Sequence, residues 1–378
     1  MSLPLFPVTV VGSFPRSEAL RKSLRRGVPD AKVLEQARVE VLALQEAAGV
    51  DIVSEGEQGR DSFFSFIASK LNGVRLMSLA EMLDWVEDKA AFERLLAALD
   101  VPAFAIKNPV VEGKLSRKTM LAGDELAWTK AHTGKPVKVA LPGPYLLSRS
   151  MWVKRLSADT YPTKESLGAD VVAVLREELV ALRDAGADFV QFDEPVLSEV
   201  AFAGPHATHS FMCAALSEKA SPESELEFAV ELINQVVAGV DGIRTGLHVC
   251  RGNWSRDESV LLAGPYDALV PYFARMRVTQ LVLEYATERA GSFAPLAALP
   301  GDKELGLGLV NPRTSEIEPV EQLVARVREL LRYRPVESIF LNPDCGFGTF
   351  SDRPINTLTV AQQKLARLSE AARQLRGG

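Results

Sequence analysis

Cysteine and histidine are scarce in this chain: three cysteines and four histidines in 378 residues. Cys213, Cys250 and Cys345 lie far apart and are odd in number, which excludes a disulfide framework and fits a reducing cytoplasm. No apolar run approaches the ~18 residues of a membrane-spanning helix. The start, Met1-Ser2-Leu3-Pro4, lacks the basic and apolar regions of a signal peptide. A basic excess is also missing: the net charge of -6 argues against a nucleic-acid partner. There is no low-complexity tract, and no feature that specifies an oligomeric state. What remains, 47% apolar and 24% charged residues, is ordinary globular composition.

Short β-branched runs alternate with helical stretches along the whole chain. The predicted strands begin at Val8–Val11 and Asp51–Ser54, followed by a long excursion. The excursion holds an amphipathic segment from Leu79 to Leu99 and an extended piece, Pro109–Gly113. Further strands follow at Val137–Leu141, Phe189–Phe192, Gly246–Cys250, Leu281–Glu284, Leu305–Val310 and Ser338–Leu341. Helices are expected at Asp30–Ala48 with Asp30 as N-cap, Lys164–Ala185, Pro222–Val240 and Val360–Leu375. Eight strand–helix units read as an α/β fold, a (β/α)8 TIM barrel forming a single domain over residues 1–378.

Such a barrel places its chemistry at the carboxyl ends of its strands. Those ends carry Ser13, Glu57, Pro142-Gly143-Pro144, Asp193, His248 with Cys250, Glu284, Asn311 and Cys345. In Gly246-Leu247-His248-Val249-Cys250 the imidazole and the thiol are two apart on a strand and share a face. Taken alone, the pair could equally be a packed histidine beside a buried thiol. Together with Glu284 and Cys345 it makes an N/S/O/S ligand set that suits Zn2+, because two thiolates select zinc over magnesium or calcium. Dispersal around a rim favours a catalytic over a structural site, with Glu284 the ligand most easily displaced by an incoming thiol. Cys213 reads as packed, His206 and His209 as weak metal candidates, and His132 as the end of a helix. Gly346-Phe347-Gly348 could offer N–H groups to an anion, or could simply be a tight turn.

The combined set Val11-Gly12-Ser13-Phe14-Pro15, Gly56-Glu57, Gly143-Pro144, Gln191-Phe192-Asp193-Glu194-Pro195, His248-Val249-Cys250, Glu284 and Asp344-Cys345-Gly346 resembles the C-terminal catalytic barrel of cobalamin-independent methionine synthase. The resemblance runs over essentially the whole chain. It implies a zinc-dependent methyltransferase that moves a methyl group from 5-methyltetrahydrofolate or its polyglutamate to homocysteine. By the same resemblance zinc would be held by His248, Cys250, Glu284 and Cys345, and the amino acid by Val11, Gly12, Ser13, Glu57 and Asp193. His248, Cys250, Cys345 and Asp193 would then be the catalytic group, and Glu199 would match a folate contact. Carboxylates suit an ammonium group, and Ser13 with backbone N–H groups suits a carboxylate.

Departures from the family lie on the donor side. Phe104 and Ala105 stand where an Arg-Cys pair is expected. Ser150 stands near the position of the pterin-stacking tryptophan, with Trp152 two residues late. Asn311 falls where a proton-donating histidine is expected. These changes leave open another methyl carrier, such as a corrinoid protein. They also leave open a relative that opens epoxides with coenzyme M, for which Arg16 and Arg60 would be the sulfonate contacts. Zinc as a mere staple, or a metal-free decarboxylase-like barrel, are further alternatives.

Overall fold

The computed structural model describes residues 3–27, 29–85, 89, 107–202 and 220–377. The predicted segment 79–99 lies mostly outside these, as do Phe104, Ala105, His206, His209 and Cys213; its start, Leu79–Met82, is a short helix. Two sheets form. A hairpin pairs β1 (Leu71–Ser78) with β2 (Lys107–Arg117), antiparallel from Leu71 opposite Arg117 to Ser78 opposite Lys107. The extended piece Pro109–Gly113 thus falls inside a longer strand, while β1 carries no clear alternation in sequence and was not expected.

The second sheet holds six parallel strands in chain order: β3 (Lys138–Pro142), β4 (Phe189–Asp193), β5 (Arg244–Val249), β6 (Gln280–Glu284), β7 (Glu304–Val310) and β8 (Ile339–Pro343). Parallel strands covered by helices on one face and packed side chains on the other read as nearly unbroken apolar runs. β6 shows this, being buried at every residue. The helices Ala31–Ala47, Lys164–Asp184, Pro222–Val237 and Leu358–Gly377 stand within a few residues of their expected ranges. Asp30 caps the first by accepting from the backbone N–H groups of Lys32 and Val33. His132 ends the helix Gly123–His132.

The two leading predicted strands are not ladders. Val8 bridges Leu341, Thr9 bridges Ile52, and Val53 bridges Val137, each a single parallel pair. Side chains occupy the backbone groups a ladder would use. Asp51 accepts from Val8 N at 2.8 Å, and the Gln45 amide clasps Ser54, accepting from its N–H at 3.0 Å and donating to its carbonyl at 2.9 Å. The carbonyls of Val10 and Val11 accept from Lys138 Nζ at 2.7 Å and Gln191 Nε2 at 3.1 Å. Among the described residues no helix is long and apolar enough to cross a membrane.

Candidate active site and metal centre

β5 delivers His248 with its ring inward and ends at Val249, so that Cys250 follows at the rim. Cys345 sits two residues beyond the end of β8. The potential ligand atoms of His248, Cys250 and Cys345 all lie within 4.8 Å of one another, and the two sulfurs are 4.0 Å apart. Neighbouring side chains set this geometry. Ser198 Oγ donates to the Cys250 carbonyl, and Tyr266 Oη donates to the Val249 carbonyl at 2.6 Å while accepting from Glu284 N at 3.1 Å. Asp344 Oδ1 accepts from the N–H groups of Tyr285 and Ala286, tying the loop after β8 to the end of β6.

Three features fit a zinc ion. Thiolates about 2.3 Å from a tetrahedral zinc would stand about 3.8 Å apart, close to the sulfur–sulfur spacing seen here. His248 Nδ1 lies 3.1 Å from the Val282 carbonyl, which fixes the tautomer, while Nε2 is buried without a hydrogen-bond partner. The charge balance also agrees. The Cys250 thiol is pulled well below its usual range, first by the hydrogen bond from Cys345 and then by His248, and Cys345 is pushed up in consequence. Burial lowers His248, but Cys250 and Asp193 outweigh it and hold the ring at about 8.

Glu284, the expected oxygen ligand, lies outside this three-residue cluster. Its carboxylate is wholly buried and engaged elsewhere: Arg251 N and Asn253 Nδ2 donate to Oε2 at 3.0 Å each, and Arg289 Nη2 pairs with Oε1 at 2.8 Å. Arg313 holds Asn253 in turn, at 3.1 Å. This Arg289–Asn253–Arg313 cradle leaves no local pattern in the chain, because its members follow β5, β6 and β7 separately.

A cavity opens beside the cluster, and Val11, Ser13, Glu57, Asp193, His248, Cys250 and Cys345 all line it. Two buried carboxylates therefore face the same space as the thiols. Burial raises Asp193 to about 7, against the pull of His248, and raises Glu57 against Arg60 and Arg16. Such a site favours a cation. Glu57 has the positive φ of 56°, and its carboxylate lies across Gly12, where a Cβ would come within 2.2 Å of Oε1. Gly346 permits a similar approach, since a Cβ there would meet Ser13 Oγ at 2.1 Å. The Gly346–Gly348 turn thus serves close packing against Ser13–Pro15.

Aromatic side chains that sequence reasoning did not single out, Phe63, Phe64, Trp254 and Phe350, complete the wall, joined by Asn253. The bridge between Ser62 and Phe350 draws two of these segments together.

Other expected residues stand apart from the cavity. Glu199 is buried and paired with Arg149 at 3.0 Å. Ser150 closes with its carbonyl on Asn108, and Trp152 points into the core, its Nε1 donating to the Tyr161 carbonyl. Asn311 accepts from Arg313 N through its side chain. Arg16 spends its guanidinium on the carbonyls of Phe14, Glu57, Arg60 and Gly348, and Arg60 forms a two-pronged pair with Glu125 at 2.8 and 2.7 Å. Neither arginine lines the cavity.

Comparison with known proteins identifies the family. Residues 6–374 match the family model described as cobalamin-independent synthase, catalytic domain. The methionine synthase of Pyrococcus furiosus is 30% identical over all of this chain and 94% of its own. The 5-methyltetrahydropteroyltriglutamate–homocysteine methyltransferase of Herpetosiphon aurantiacus is 28% identical over 92% of this chain and 41% of its own. Among solved structures, a B12-independent methionine synthase from a Shewanella species, in complex with selenomethionine, superposes with a TM-score of 0.73 at 21% identity, covering 99% of this chain and 98% of that one. The chain belongs to the cobalamin-independent methionine synthase family, of which it carries the catalytic domain.

Proposed function

We propose that this protein is a zinc-dependent methyltransferase that converts homocysteine to methionine. One observation carries the reading: the His248–Cys250–Cys345 cluster and the buried carboxylates Glu57 and Asp193 face a single cavity. A homocysteine molecule carries a thiol at one end and an ammonium at the other, which is the complement of that arrangement. His248, Cys250 and Cys345 would hold the metal, with Glu284 as the fourth ligand when its carboxylate leaves the Arg289–Asn253 cradle. When bound, zinc supplies a Lewis acid that favours thiolate over thiol at neutral pH.

The chain's own residues then do the rest. Glu57 and Asp193 receive the ammonium group, and Ser13 with the backbone of Val11 and Gly12 receives the carboxylate. These contacts aim the sulfur into the cavity. The aromatic wall of Phe63, Phe64, Trp254 and Phe350 excludes water from the nucleophile and gives the methyl donor an apolar face. The sulfur forms a bond to the methyl carbon as the bond from that carbon to its carrier breaks, and the carrier leaves with the electron pair.

The donor we propose is 5-methyltetrahydrofolate or its polyglutamate. A different carrier, such as a methylated corrinoid protein, is the second reading. It is favoured by Trp152 facing the core and by Asn311, which has no acidic proton, in place of a proton donor. Epoxide opening with coenzyme M draws no support from Arg16 or Arg60, both committed to internal partners. For the fold, we propose a closed eight-stranded barrel in a single domain. The parallel bridges Val8–Leu341, Thr9–Ile52 and Val53–Val137 support it, since they link β8 to β3 through two short segments. The two cavity thiols fit a reducing, cytoplasmic setting.

The deciding assay is methionine formation from homocysteine by zinc-loaded protein. Mono- and polyglutamylated methyltetrahydrofolate serve as donors, with Cys250→Ser as control. Turnover that the control loses supports the reading. Homocysteine that binds without turnover keeps the thiol half and sends the search to other carriers. Absence of both binding and turnover refutes the assignment.

A further inference from the structure

Lys138 takes no part in the metal cluster or the cavity wall, yet it is buried at 1% exposure beneath both. Its Nζ lies 2.7 Å from the Val10 carbonyl, 2.9 Å from Gln191 Oε1 and 4.5 Å from the Phe189 ring centroid. Lys138 Nζ donates to Gln191 Oε1, so Gln191 turns its oxygen toward Lys138 and its NH2 away. The NH2 then reaches the Val11 carbonyl at 3.1 Å and Asp193 Oδ1 at 2.7 Å. The reversed amide would set its oxygen against these two acceptors and lose the bond from Lys138. Lys138 and the two acceptors together fix one orientation.

This connection replaces the missing ladder. The segment that carries Val11, Gly12 and Ser13 makes only single bridges, at Val8 and Thr9, before it enters the site. Beyond them its consecutive carbonyls, Val10 and Val11, are tied to β3 through Lys138 and to β4 through Gln191. The same Gln191 NH2 occupies Oδ1 of Asp193, which leaves the second oxygen for a cation in the cavity.

We propose that Lys138 and Gln191 are positioning residues that hold the carboxylate-binding segment Val11–Ser13 and the ammonium-binding Asp193 in fixed relation. They would thereby select α-amino-acid thiols over thiols that lack the amino group. The inference rests on the amino-acid-binding reading given under Proposed function.

The test compares binding of homocysteine and 4-mercaptobutyrate, its analogue without the amino group, by titration calorimetry on zinc-loaded protein. Gln191→Glu keeps the shape and the bond to Lys138, but turns an acceptor toward Asp193 and the Val11 carbonyl. Its preference for homocysteine should fall by about tenfold or more, with zinc content close to wild type and a cooperative, though lowered, thermal melt. A folded Gln191→Glu protein whose preference stays within about twofold of wild type overturns the proposal. If that variant does not fold, Lys138→Met is judged by the same ratio; a chain that folds with neither change assigns the pair to stability alone and also overturns it. A wild-type protein without preference for homocysteine would instead sink the amino-acid-binding reading itself.

Discussion

Replacing Gly12 by alanine tests the amino-acid end of the site with the smallest possible change. The new methyl carbon would stand 2.2 Å from Glu57 Oε1 and 3.3 Å from Ala140 Cβ, so Glu57 must give way. Its backbone cannot follow easily. The Glu57 carbonyl accepts from Arg60 N at 3.1 Å and from Arg16, and its φ is already positive. The carboxylate alone moves, away from the space over Gly12 and out of reach of an ammonium. A charge-assisted hydrogen bond contributes about 1.5–3 kcal/mol, and ~1.4 kcal/mol is tenfold, so KM for homocysteine should rise roughly 10- to 150-fold. Overpacking costs about 1–3 kcal/mol, partly offset by the ~0.4–1 kcal/mol gained when alanine restricts the unfolded chain. The protein should therefore stay folded, with normal zinc content. Steady-state kinetics with metal analysis and a thermal melt check all three expectations. An unchanged KM in a folded, zinc-replete variant would refute the role of Glu57 in binding the ammonium.

Cys345→Ser should lower zinc affinity by more than tenfold in competition with a chelator while leaving the circular dichroism spectrum intact; an unfolded chain would mark the metal as a structural staple. Asn253→Leu removes one of the donors that hold Glu284 in its cradle, and should change zinc affinity by about 10- to 100-fold in the same competition assay. Glu194 accepts from Tyr145 N and Leu146 N, but burial dominates and raises it to about 8. A carboxyl raised on folding stabilises most below its unfolded value, and that contribution fades as pH climbs through about 8, at no more than ~1.4 kcal/mol per pH unit. Urea unfolding of the metal-free protein between pH 5 and pH 8 should show a loss of stability that Glu194→Gln reduces, and an identical slope in the variant would exclude Glu194 as its source.

Six strands and the major helices were legible because buried parallel strands and capped amphipathic helices write strong local patterns. The meeting of His248, Cys250 and Cys345 was legible for a related reason. His248 and Cys250 share a strand face by their spacing, and Cys345 closes a strand of its own. What the sequence hid depends on side chains that replace backbone pairing. Val8–Val11 and Asp51–Ser54 join their neighbours through single parallel bridges and are otherwise held by Asp51, Gln45, Lys138 and Gln191, whose reach across the fold leaves no periodic signal. The cradle around Glu284 was hidden likewise, since Asn253, Arg289 and Arg313 meet only through tertiary contacts. Arg16 and Arg60 illustrate the opposite error. A cation near a site looks available in sequence, whereas the fold commits both to internal acceptors.

The most direct test of the central claim is X-ray absorption at the zinc edge, recorded on zinc-loaded protein with and without homocysteine. Two sulfur neighbours at about 2.3 Å are expected in the resting protein, from Cys250 and Cys345, and three when homocysteine is present. A sulfur count that stays at two under saturating homocysteine would contradict that claim.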